Sequence, residues 1–181
     1  MKKTAPIALD SPPEIHKKHR VTALLESLSP GGACSPPSPF EAFFLCFNRQ
    51  AYYEAHDVLE QLWLQERDST FYKGLIQLAG AYVHLQKQFQ HPSHPKHGRR
   101  LRPAARLFQL AIRNLAPHGP FCSGVPLHAV LKECNRLVAL LEASQFTLNP
   151  WSPASAPTLP VPGESPAADK PTPPASTARH A

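Results

Sequence analysis

Residues able to do chemistry concentrate in two short stretches. In the first, His56 and Glu60 stand four residues apart at the edge of an apolar face, with Trp63 three residues further on. At about 100° per residue, Glu60 lies at about 40° and Trp63 at about 340° from His56, so one narrow strip of a helix carries all three. A half-buried histidine beside a carboxylate has three uses. The carboxylate can hold one imidazole tautomer and leave the other nitrogen as a general base, the pair can ligate a metal, or the two can simply bond each other beneath the indole. In the second stretch, Lys73, Gln77 and His84 fall on one strip of the following helix. That strip is either a solvated face or part of a cleft suited to a small anionic or carboxylate-bearing ligand. Arg106 could complete an anion clamp there, or pair with Glu60 or Asp57.

Other chemistries find less support. No H-E-x-x-H is present, and di-metal bundles repeat Glu-x-x-His on two helices, whereas this chain has His-x-x-x-Glu once. No metal ligand set is therefore assigned, and no cofactor is named. His91, His94 and His97 recur every three residues, but flanking prolines and the lack of a nearby cysteine leave them without a defined coordination pattern. Neither a G-x-G-x-x-G nor a P-loop appears, and no serine or cysteine sits in a nucleophile motif.

The elements that must position these side chains read as helices throughout, with no alternating run bounded by turn residues. A weak amphipathic stretch runs from about Glu14 to Leu28 and stops at Ser29-Pro30-Gly31-Gly32. Ser38-Pro39-Phe40-Glu41 predicts a helix start, with Ser38 as cap, Pro39 in the first turn and Glu41 closing a capping box. Further helices are expected over about Tyr52–Glu66, Thr70–Phe89, Arg99–Ala116 and Pro126–Ala143. Short connections between them predict an all-α, up-and-down bundle of about five helices.

Composition sets the limits of that bundle. Of the 181 residues, 22 are proline, gathered mostly at the two ends. Residues 1–37 read as an N-terminal extension with one weak helix and a Pro/Gly linker, and 38–145 as the bundle. Residues 146–181 read as a disordered Pro/Ala/Ser-rich tail, too poor in large apolar side chains to offset ordering entropy. No stretch approaches the roughly 20 apolar residues of a membrane span, and no apolar h-region follows the first lysines. The four cysteines form no C-x-x-C pair, which suits a reducing cytoplasm. The net charge of +6 is uneven, because no acidic residue lies between Asp68 and Glu133 while nine lysines and arginines do. Such a half can pair with the acidic residues upstream or present a basic surface to an anionic partner.

The run Tyr53-Glu54-Ala55-His56-Asp57-x-Leu59-Glu60-x-x-Trp63, followed by Lys73-Gly74-Leu75-Ile76-Gln77-Leu78-Ala79, resembles the domain-of-unknown-function family 309. The resemblance extends over about Phe40 to Leu115 and takes in His84 and Arg106. It implies a small helical bundle and no particular activity. Three functional expectations follow. The leading one is a cytosolic bundle whose cluster of His56, Glu60, Lys73, Gln77 and His84 is a structural network or a small anionic ligand pocket. The second is an enzyme using His56 as general base, oriented by Glu60, on an anionic substrate held by Lys73 and Arg106. The third is a protein or nucleic-acid interaction module using its basic surface; a protein partner or homo-oligomer is left open, and no membrane is involved.

Overall fold

The computed structural model describes residues 13–28 and 36–162, with side chains from residue 19 onward. Six α-helices occupy them: α1 (Pro13–Leu28), α2 (Pro39–Asn48), α3 (Tyr52–Gln65), α4 (Thr70–Gln90), α5 (Leu101–Leu115) and α6 (Leu127–Ala143). From α2 onward each helix packs against the next, and α1 lies on α2 and α3. The fold is all-α, and the described residues contain no strand beyond an isolated bridge between Cys122 and Val125. Among them no helix is long and apolar enough to cross a membrane.

Local chemistry accounts for where the helices begin. At α2 the capping box forms as expected: the Glu41 amide donates to Ser38 Oγ at 3.2 Å, and the Ser38 amide donates to Glu41 Oε2 at 2.9 Å. Those bonds hold the Glu41 carboxyl below its ordinary range. Ser69 caps α4 by accepting from the Tyr72 amide. The loop to α5 runs two residues further than the expected start at Arg99, and the helix begins at Leu101 with Pro103 in its first turn.

The core is aromatic. Phe43, Phe44, Phe47, Tyr52, Tyr82 and Phe108 are fully buried, with Tyr52 stacked on Tyr82 at 5.1 Å and Phe108 edge-on to Tyr82 at 5.2 Å. Burial drives the Tyr82 phenol far above its ordinary range, and it pushes the Cys46 thiol up to about 11 and Cys134 to about 12. These thiols are packing groups rather than nucleophiles. Helices α4 and α5 approach closely at Gly74, where an added Cβ would stand 2.6 Å from Leu115 Cγ.

Segments at both ends, outside the 38–145 expected for the bundle, pack against it. The helix expected within the extension 1–37 is docked on the bundle: Val21 and Leu28 of α1 are buried in the common core. Residues 146–162, expected as the start of a disordered tail, instead form a strap over α2, α3 and α4. Trp151 is 3% exposed and its Nε1 donates to the buried Tyr52 hydroxyl at 3.3 Å. Asn48 exchanges two hydrogen bonds of 2.7 Å with the backbone of Leu159, and Asn149 Nδ2 donates to Leu85 O at 2.9 Å. Two apolar anchors and two side-chain amides thus supply what the Pro-rich composition lacks. The Ser29–Gly32 breaker, Cys34 and the remainder of the tail lie outside the described residues.

Candidate functional site

Helix α3 carries the site because its apolar residues Tyr52, Ala55, Val58 and Leu59 face the core. That register leaves His56 and Glu60 half-buried at the border, as the helical wheel requires. It also turns Asp57 towards α1, where Arg20 forms an ion pair with Asp57 Oδ2. Asp57 is 3% exposed, the one buried charged residue among the described ones. The pairing raises the Arg20 pKa further, chiefly through its hydrogen bond to Asp57. The same guanidinium lies 5.7 Å from the centre of the Tyr53 ring, and Lys87 Nζ lies 5.4 Å from it.

His56 Nδ1 stands 3.5 Å from Asp57 Oδ1 and 4.0 Å from Glu60 Oε2, without hydrogen-bond geometry to either. One donor atom from each of His56, Asp57 and Glu60 lies within 4.8 Å of the others. The opposite edge of the imidazole lies over Gly80 of α4, whose missing side chain leaves His56 Cδ2 3.8 Å from where a Cβ would be. Trp63, one turn beyond Glu60, keeps its Nε1 buried and also without a hydrogen-bond partner.

The α4 residues expected to face this strip have other engagements. Gln77 Oε1 accepts from Asn114 Nδ2 of α5 at 2.7 Å. Arg100 at the start of α5 bonds His84 Nδ1 at 3.1 Å and donates from Nε to His97 Nδ1 at 2.9 Å. Burial first, and then the charges of Arg100 and Lys87, push the His84 pKa down to about 4, so its ring is neutral near pH 7. Lys73 is exposed, and it sits about 10 Å along α4 from Gly80, where His56 touches that helix. Arg106 is exposed on the outer face of α5, in a shallow groove with Gln109, Leu110 and Arg113. His56 therefore lies beside Glu60 and over Gly80, while Gln77, His84, Lys73 and Arg106 are bound or exposed elsewhere. Asp57 is the site residue that the sequence reading left out of the cluster, because at one residue from His56 it lies about 100° off the strip.

The loop histidines gather in part, with ring centres of His94 and His97 at 4.5 Å and of His91 and His97 at 5.7 Å. His94 Nδ1 accepts from the amides of Lys96 and His97, so that nitrogen organises the loop itself.

A second feature is electrostatic. Arg102, Arg106, Gln109 and Arg113 are all exposed and fall within an arc of about 60° over about 16 Å of α5. None of these three arginines has a carboxylate partner among the described residues. Arg102 instead lies over the Phe146 ring at 4.5 Å, and Glu142 accepts from Gln109.

Residues 40–93 match the family model for a domain of unknown function, DUF309. Over that segment the chain is similar to the family. The DUF309 match spans α2, α3 and α4 and contains the His56, Asp57 and Glu60 cluster; α1, α5, α6 and the strap lie outside it. No curated protein and no solved structure matches the chain.

Proposed function

We propose that this protein is a binding module rather than a catalyst, using the arginine face of α5 to hold a nucleic-acid phosphate backbone. The observation that carries the reading is the row Arg102, Arg106 and Arg113, exposed on one side of a rigid helix with no carboxylate partner among the described residues. Guanidinium forks match phosphate oxygens bidentately, and a row of them on a packed helix loses little freedom on binding. The charge is not cancelled nearby in sequence, since residues 69–132 contain no aspartate or glutamate. In this reading the Arg20–Asp57 ion pair serves to fix α1 on the bundle. A reducing, cytosolic setting suits the free thiols of Cys46, Cys122 and Cys134. The general-base alternative loses support because Lys73 and Arg106, its anion-holding groups, are exposed apart from His56.

Fluorescence anisotropy with a labelled oligonucleotide tests the reading. Wild type and Lys73→Gln should bind alike, and the triple variant Arg102→Gln/Arg106→Gln/Arg113→Gln should lose most of its affinity. Equal binding by the triple variant would sink the idea. Binding to anionic vesicles in preference to the oligonucleotide would reassign the face to a membrane surface and equally reject it.

A further inference from the structure

We infer that His56 Nδ1, Asp57 Oδ1 and Glu60 Oε2 form a site for a single divalent transition-metal ion, of which zinc is the simplest probe. The inference is independent of the α5 face. It starts from spacing: two donors bound at about 2.1 Å to a tetrahedral ion stand about 3.4 Å apart. The His56 nitrogen is 3.5 Å from Asp57 Oδ1 and 4.0 Å from Glu60 Oε2, too long or too poorly aligned for hydrogen bonds but close to the separation of co-ligands. One donor atom from each of the three residues lies within 4.8 Å of the others, all within five residues of α3.

Satisfaction of polar atoms points the same way. The His56 Nδ1 atom is shielded from solvent and has no hydrogen-bond partner, although it faces two carboxylates. A buried polar atom left unbonded calls for an explanation, and an ion between the three donors gives one.

The surroundings have the character of a metal site's outer shell. Arg20 bonds Asp57 Oδ2, which fixes the plane of the carboxylate and turns Oδ1 towards the imidazole. The ring itself is steadied across Gly80, where Leu107 of α5 also stands close. One imidazole and two carboxylates are a borderline donor set that zinc accepts, and three protein donors leave one position for water or a ligand. His56 and Glu60 remain partly exposed, which provides an entry path.

Isothermal titration of zinc into the full-length, chelator-stripped protein tests the assignment, with circular dichroism confirming that each variant is folded. Wild type should take up one equivalent. His56→Gln and Glu60→Gln should each weaken uptake by at least 100-fold, while a variant with His91, His94 and His97 all changed to Gln should bind as wild type. Failure of wild type to bind zinc, retained affinity in both α3 variants, or loss of the single equivalent in the loop variant would each overturn the site. Should either α3 variant fail to fold, nitrogen-15 NMR of the wild-type histidines decides the question. Zinc should shift the His56 Nδ1 resonance, and a shift confined to other histidines would reject the site.

Discussion

Arg20, on a helix outside the matched DUF309 residues, forms an ion pair with Asp57 inside the family motif, and Asp57 is almost wholly buried. The contact joins the N-terminal helix to the matched segment and holds the Asp57 carboxylate beside His56.

Removing one partner of that pair leaves charge behind in a poorly solvated place. Arg20→Ala should lower stability by about 1–2 kcal/mol, a moderate loss because the arginine itself is largely exposed. Urea denaturation of Arg20→Ala, Asp57→Asn and the double variant checks this as a cycle. The double variant should lose clearly less than the sum of the single changes; strict additivity would show that the two do not couple.

Gly74 should resist enlargement. An added Cβ would meet Leu115 Cγ at 2.6 Å and Cδ2 at 2.7 Å, and Leu115 is fully buried. Gly74→Ala ordinarily favours a helix, yet here it should cost about 1–3 kcal/mol through forced separation of α4 and α5. Thermal denaturation reads the sign directly, and an increase in Tm would contradict the close approach.

The strap is expected to matter as much as a helix. Trp151→Ala should cost about 3–5 kcal/mol by emptying the space between Tyr52 and Phe89. Asn48→Ala should cost about 1–3 kcal/mol, because both backbone groups of Leu159 lose their partner. Chemical denaturation of both variants, and of a chain ending at residue 145, checks this. Unchanged stability on truncation would return residues 146–162 to the status of a dispensable tail.

These contacts also mark where the sequence stops being legible. Helices α2 to α6 follow from the capping box at Ser38 and Glu41 and from apolar residues recurring at three and four. Such signals are local, so a single sequence carries them. Asp57 and the strap depend on partners far away in sequence: Arg20 is 37 residues from Asp57, and Asn48 is 111 from Leu159. Composition placed the strap in a disordered class because only Trp151 and Leu159 anchor it, and no periodicity announces two isolated anchors. The α3 pair His56 and Glu60 was legible from spacing. Its separation from Lys73, Gln77, His84 and Arg106 was not, since helical wheels fix faces but not which neighbour each face meets.

His84 should give the protein a pH dependence with a defined sign. Its pKa is held at about 4 in the fold, against an ordinary value near 6.5, so the unfolded chain binds more protons between these limits. Stability should therefore be complete above pH 6.5 and fall as pH drops towards 4, by about 1–2 kcal/mol from this residue after allowing for its partial exposure. Urea midpoints at pH 7, 6 and 5 compare wild type with His84→Gln. The variant should show the shallower slope, and identical slopes would remove His84 as the cause.

Phosphate binding by the arginine face of α5 is the basis of the proposed function. Its most direct test is the salt dependence of oligonucleotide affinity measured by fluorescence anisotropy. If Arg102, Arg106 and Arg113 each neutralise one phosphate, log K should fall against log salt with a slope of about −2 to −3. Changing one of them to glutamine should make that slope shallower by about 1. A flat salt response in wild type, or a slope indifferent to all three arginines, would contradict the claim.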